Sequence, residues 1–474
     1  MIPTATVYSS TVNLVKTIVG AGLLAIPYAF RADGVTVAII LLLFAAITSG
    51  FGLYLLSLSS KALLNPRQSS FFTLCSVTYP KLSFLFDFAM FIQCYGVGLS
   101  YLVLVGDLFS SLLGGRRNWW ILGSTIIVVP LAHLRQLDSL KYSSLVGLLS
   151  ITYLVLLVTG TFLQGVMFGN KYVEHRGDVS WLHIHSVGEL VSTFSIIILA
   201  YTGSMNMFSV INELKDNSTA NAKRVVYYSV GISTLIFLSV GLGGYLTFGN
   251  NVLTNVILNY DESAITTRIG TFSLGTMVIL SFPLLFHPGR IAFNNMVHWL
   301  DITYALYIMR REQKLEEPVL ADNESTRPIC MSVDDEEDRL MLGIEGESYQ
   351  SLPRGTQSQE ELSEQMEHDS SAVPLDGSRF YIVTWILLLI MYVLALNVTS
   401  FALILALVGS TGSTSISFTL PGLFGYKLIG TESLIKGNSL NRKEIWCRLA
   451  SLGLALYGIL VTLISVFVII YFGI

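Results

Sequence analysis

The sequence is poor in charge: Asp, Glu, Lys and Arg make up only 13% of its 474 residues, against 52% hydrophobic. A soluble domain of this length needs a far more polar surface, so a water-soluble fold is excluded and the long apolar runs mark a polytopic membrane protein. The mean hydropathy of +0.63 agrees. Cysteine is equally sparse. Cys75, Cys94, Cys330 and Cys447 stand far apart, without a C-x-x-C or metal-like spacing, which argues against a disulfide framework and gives no reason to expect a cofactor or metal. No basic n-region followed by a small-residue cleavage site opens the chain, so the first span is expected to stay in place as a signal-anchor. No nucleophile-base pair or metal-ligand set stands at useful spacing, so an enzyme is not expected. Nothing points to nucleic acid.

What the chain has instead is apolar runs of membrane length. Read against bilayer thickness, they give eleven spans near 8–31, 34–58, 82–113, 118–133, 143–167, 187–212, 225–248, 268–289, 379–397, 399–427 and 446–472. One set of short loops carries Lys61, Arg67, Lys81, Arg135, Lys141, Lys215, Lys223, Arg224, Lys427, Lys436, Arg442 and Lys443. The opposite set carries only Arg31, Arg116, Arg117, Lys171 and Arg176. The first set is therefore cytosolic, which places the N-terminus inside and Ile474 outside or in a lumen.

Residues 310–378 break the pattern. They are rich in Ser, Glu and Asp and include the acid run 334–338, so they cannot bury enough apolar surface to fold alone and read as a disordered cytosolic loop. Within it, Tyr349 to Leu352 (YQSL) fits the tyrosine-x-x-bulky pattern that sorting adaptors bind, although four residues recur often by chance in a plain linker.

The first span is interrupted. Gly20-Ala21-Gly22 sits at its middle, and Lys16 precedes it by one turn. Two half-helices meeting there leave backbone amides unpaired after the break, with a positive dipole end that suits a carboxylate. Small residues also let two membrane helices touch, so on this stretch alone packing and binding are both open. Span six repeats the feature, with Ala200-Tyr201-Thr202-Gly203 at mid-depth and a polar run through Ser204, Asn206, Ser209 and Asn212. Without the acidic loop, spans one to five and six to ten cover similar lengths in opposite orientations, and each half opens with a broken helix. Such a pair in two inverted halves points to a transporter site at the midplane.

Val19 to Pro27 (VGAGLLAIP) resembles the first-span motif of the amino acid/auxin permease family. Asn206 to Glu213 (NMFSVINE), Phe282 to Arg290 (FPLLFHPGR), Val408 to Phe418 and Leu420 to Lys427 resemble the fungal vacuolar amino-acid transporters, in particular their exporter branch. The resemblance implies an all-α fold of eleven helices, a five-plus-five inverted repeat with broken first and sixth helices. The transporter domain then comprises 1–309 and 379–474, with repeats near 8–167 and 187–427 and an extra helix near 446–472. It also implies proton-linked movement of amino acids in the vacuolar membrane, with the N-terminus cytosolic and the C-terminus lumenal. One departure stands out: Ser204-Met205 replaces a His pair that several relatives carry before the Asn-Met-Phe-Ser run.

The substrate-binding candidates are Gly20, Ala21, Gly22 and Leu23 at the first break and Ala200, Tyr201, Thr202, Gly203 and Asn206 at the second. Lys16 is the first coupling candidate, since intramembrane charges are costly and usually functional. Its alternative is snorkelling, because the cytosolic end is only some 12 Å away at 1.5 Å per residue. His287 and Glu213 are the other two; Glu213, like Asp87 and Asp107, sits at a span end where charges also reach water. Arg290 reads as an anchor at the cytosolic end of span eight. Thr411, Ser413 and Thr414, in the hydroxyl cluster of span ten, line a cavity or gate, or else satisfy a neighbouring backbone. The glycosylation sequons at Asn217, Asn323 and Asn397 are expected to go unused. The function expected is proton-coupled export of neutral amino acids from vacuole to cytosol. Alternatives are a plasma-membrane importer and an amino-acid sensor or scaffold, against which the short segment before the first span argues.

Overall fold

Hydroxyl side chains set where many of the helices begin. Thr6 accepts from the amide of Ser9, Ser186 from Glu189, Ser218 from Asn221 and Ser400 from Leu403, and each satisfies a donor that a helix's first turn leaves unpaired. The computed structural model describes residues 5–316 and 377–472, apart from 64, 135–140, 170–171, 173–175, 183–185, 399 and 432–438.

Helix α1 (Val7–Ile18), a 3-10 turn (Ala21–Ala25) and α2 (Ile26–Asp33) form the first interrupted helix. It is followed by α3 (Val35–Lys61), the short α4 (Phe71–Thr78) and α5 (Ser83–Leu113). Next come α6 (Arg117–Gly123), α7 (Thr125–Ala132) and α8 (Lys141–Phe168). The second interrupted helix is α9 (Val187–Ala200) with α10 (Ser204–Glu213), and α11 (Thr219–Phe248) and α12 (Ile265–Glu316) follow. Beyond 317–376 lie α13 (Gly377–Asn397), α14 (Phe401–Val408), two π-helical stretches (Gly409–Ser413 and Ser415–Thr419), α15 (Leu420–Leu428) and α16 (Arg442–Phe472). Among the described residues the sole β feature is an isolated bridge between Ala5 and Leu214.

Nine helices are long and apolar enough to cross a membrane, or ten when the bent pair at α1 and α2 counts as one span. The span expected near 118–133 is two short helices that part at Ser124, and their combined run of about 24 Å falls short of a hydrocarbon core of about 30 Å. It nevertheless runs the length of the bundle. Arg117 donates to the carbonyl of Val398 at one end, and the carbonyl of Ala132 accepts from Arg290 at the other.

Span eight differs from its expected end at residue 289. α12 runs through Pro283 and Pro288 and on to Glu316, past the expected start of the acidic loop at 310. The polar run His287 to Arg290 therefore lies inside a helix. The rest of the loop, with the acid run, Asn323 and Tyr349 to Leu352, lies outside the described residues.

The centre of the bundle is built from the second interrupted helix and the tenth span. Within their most apolar stretches 72% of residues are buried, against 28% for Val146–Phe168 at the periphery. Missing side chains make that centre close-packed: a Cβ at Gly409 would overlap the carbonyl of Ser195, and one at Gly52 the carbonyl of Ser417. Small residues let membrane helices approach at backbone distance.

Candidate functional site

The first break begins where α1 runs out of regular partners. The amide of Val19 still reaches Val15 at 2.7 Å, but that of Gly20 turns back to Ile18 at 2.9 Å. Gly20 is extended (φ −103°, ψ −154°), and a 3-10 turn follows in which Leu23 donates to Gly20 at 3.1 Å. Pro27 sits in the first turn of α2, where its missing amide costs nothing. The two half-helices meet at 50°. As the first residues of the new turn, Ala21 and Gly22 have amides with no backbone acceptor among the described residues.

The second break lies against the first. Tyr201 donates to both Ile197 and Ile198, and Thr202 to Leu199, after which Gly203 restarts the chain into α10. The carbonyls of Ala200, Tyr201 and Thr202 accept no backbone hydrogen bond among the described residues. A Cβ on Gly22 would lie 3.1 Å from the Cα of Ala200, and one on Gly203 would lie 2.8 Å from Ile18 Cγ1. Gly20 has only the carbonyl of Thr17 nearby, at 3.9 Å. The two glycines thus divide the work: Gly22 permits the crossing, and Gly20 makes the bend in open space.

A cavity of about 300 Å³ approaches this crossing from the end of the molecule that carries residue 5. It is lined by Met205, Phe208 and Ser209 of α10, Asp87 and Met90 of α5, and Pro288 of α12. The opposite end is shut. There Arg117 pairs with Asp107 at 2.8 Å, Arg31 donates to the carbonyl of Val252, and the amide of Val35 donates to Ser180.

The family model described as transmembrane amino acid transporter protein matches residues 3–464. The chain belongs to that family. It is 51% identical to vacuolar amino acid transporter 7 of Saccharomyces cerevisiae, over 99% of this chain and 98% of that one. It is 34% identical to vacuolar amino acid transporter 6 of the same yeast, over 90% and 91%, and 32% identical to its vacuolar amino acid transporter 5, over 98% of each chain. The protein is a transporter and not an enzyme.

In this transporter the remaining candidates fall in separate places. Leu23 is fully buried in the core. Tyr201 turns away from the crossing, donates to Thr234 Oγ1 at 2.8 Å and packs its ring edge-on to Phe237. Thr202 bonds back to its own helix at Ile198, while Asn206 donates to Thr17 Oγ1 at 2.8 Å and ties α10 to α1. Ser413 donates to the buried Gln93 at 2.7 Å, and Thr411 and Thr414 bond to Leu407 and Gly409 within their own helix. These hydroxyls satisfy backbone and neighbouring groups in the resting arrangement.

The three coupling candidates do not converge. Lys16 is half-buried beside an apolar cavity of about 130 Å³, with Leu148 and Ile151 of α8 and Ile236 of α11, and has no hydrogen bond or ion pair among the described residues. Glu213 is exposed at the end of α10, where its carbonyl accepts from Ala5. His287 Nδ1 lies 3.1 Å from Arg290 Nη2. Since guanidinium only donates, Nδ1 accepts and a neutral ring carries its hydrogen on Nε2.

Arg290 is the main correction. It is 1% exposed, donates to the carbonyl of Ala132 at 2.9 Å and to Thr384 Oγ1 at 3.0 Å, and lies over the Phe380 ring at 4.1 Å. It joins α7, α12 and α13, and does not anchor a helix end in water. Asp33 was also missed; placed at a span end by hydropathy, it is fully buried.

Proposed function

We propose that this chain is a proton-coupled secondary transporter that exports neutral amino acids from the vacuole lumen to the cytosol. The observation that carries the reading is the crossing of the two helix breaks, where the amides of Ala21 and Gly22 and the carbonyls of Ala200 to Thr202 lack backbone partners. Amides at a helix start suit a carboxylate, and carbonyls at a helix end suit an ammonium. The vacuolar membrane is taken from the names of the relatives. The cytosolic N-terminus and lumenal C-terminus rest on the Lys and Arg of the loops. The lipid bilayer covers the belt of exposed apolar side chains, Ile47, Leu156 and Leu463 among them. A sorting adaptor at Tyr349 to Leu352 is the protein partner in this proposal.

Uptake of a panel of labelled amino acids into proteoliposomes, with a pH gradient of either sign, tests it. Neutral amino acids are expected to move faster with the gradient, and equally well without sodium. Transport that requires sodium, or no amino acid transport at all, overturns the reading.

Lys16 is assigned the coupling role, because it stands beside the first break with no counter-charge among the described residues and a buried ammonium is readily titrated. A Lys16→Met protein is expected to keep exchange of substrate for substrate and to lose acceleration by the gradient. If it responds to the gradient like the parent, Lys16 is only an anchor.

A further inference from the structure

Asp33 ends α2 at the sealed side of the molecule and is 0% exposed. Its only hydrogen-bond partner among the described residues is Thr193 of α9, whose Oγ1 lies 2.9 Å from Oδ1 and 3.0 Å from Oδ2. The same hydroxyl lies 2.8 Å from the carbonyl of Glu189 and 3.1 Å from that of Leu190. Four acceptor oxygens therefore surround a group that carries one hydrogen.

The charges nearby do not compensate an ionised carboxylate. On its own helix, the Arg31 guanidinium bonds to the carbonyl of Val252 and lies over the Tyr28 ring. The facing helix α9 supplies Glu189, a second acid, and α3 has no titratable residue before Tyr54. From α11, Tyr245 bonds to Asn250 and to the amide of Ser180. The covering segment adds Asp178, whose carbonyl accepts from Asn250. A buried carboxylate with one neutral donor and no cation is strongly disfavoured. With a proton on Asp33 the count closes: Asp33 donates to Thr193 Oγ1, and Thr193 donates on to the carbonyl of Glu189.

We propose that Asp33 is a proton-binding site whose occupancy permits α2 and α9 to close over the lumenal side. The inference rests on the transporter reading for its direction, since α2 and α9 are the half-helices on the lumenal side of the two breaks. In the open state water reaches Asp33, and lumenal acid places a proton on a carboxylate oxygen. Closure buries the neutral acid against Thr193, and reopening returns the proton to the same compartment. Asp33 therefore gates by lumenal pH and does not itself carry protons across.

Two measurements test this. In proteoliposomes at fixed pH on the other face, substrate exchange is expected to fall as pH on the Asp33 side rises, about tenfold per pH unit beyond the titration point. Asp33→Asn, whose amide can also donate to Thr193, should hold the acid-side rate throughout. Infrared difference spectra should show a protonated-carboxyl band that is lost in Asp33→Asn and shifted in Thr193→Val. An Asp33→Asn protein with the parent's pH profile, or no such band, overturns the proposal. If the parent exchanges amino acids but is not driven by a pH gradient, the coupling reading fails while the Asp33 profile still decides this one. If the parent moves no amino acid at all, the transporter reading fails and the infrared band alone decides.

Discussion

A Gly22→Val protein is expected to fold and insert but to lose transport, by at least about a hundredfold, as displacements near 1 Å at a binding geometry typically do. The reason is contact. A single Cβ at Gly22 already meets the Cα of Ala200 at 3.1 Å and its Cβ at 3.2 Å, and valine adds two methyls beyond that. The crossing must open, which moves the amides of Ala21 and Gly22 away from the carbonyls of Ala200 to Thr202. Overpacking of this size costs about 1–3 kcal/mol, which a bundle of this extent withstands. Binding measured by thermal shift or scintillation proximity should vanish while gel filtration stays normal. Gly22→Ala combined with Ala200→Gly exchanges the methyl across the same contact and should recover much of the binding. Wild-type transport by Gly22→Val, or no recovery in the double variant, would remove the crossing from the site.

Arg290→Met is expected to destabilise the whole bundle by about 3–5 kcal/mol, the range for deleting one side of a buried charged arrangement. The guanidinium holds the last carbonyl of α7, a hydroxyl of α13 and the Phe380 ring at once. Methionine fills part of the volume and makes neither bond. Arg290→Lys keeps the charge without the fork that reaches two helices, so it should melt between the parent and Arg290→Met. His287→Ala removes one contact of Arg290 and leaves the bonds to α7 and α13, so its melting point in detergent should stay near the parent's. A parent-like melting point for Arg290→Met would show that the three helices hold together without it.

The interrupted helices were legible because glycine and small residues at the middle of an apolar run have few structural uses. The different tasks of Gly20 and Gly22 were not, since they depend on Ala200, nearly two hundred residues away in the chain. Arg290 was misread for a related reason. Hydropathy along the chain places His287 to Arg290 where a helix would leave the membrane, but the partners that keep Arg290 inside come from α7 and α13. Asp33 sat unnoticed beside Arg31 and Gly34 because a charge at a span end reads as solvated. Its burial follows from Thr193 in the opposing half. Span four, in contrast, was visible in composition but not in its break at Ser124, where the hydroxyl bonds back to Ile121 at 2.7 Å and also meets Tyr392 of α13.

The two π-helical stretches between α14 and α15 have a consequence for how that helix is patterned. A π turn holds more residues than an α turn, so each one rotates everything after it about the helix axis, by about 100° for one extra residue at 3.6 per turn. The angular position of a side chain in Phe401–Val408 therefore says nothing about that of one in Leu420–Leu428. The two ends are free to face different neighbours, and they do: α14 packs on α5 and α9, whereas α15 packs on α16 and α3. One continuous helix thereby serves as two independently oriented ones, joined without a loop, and no single apolar stripe can be drawn along its length.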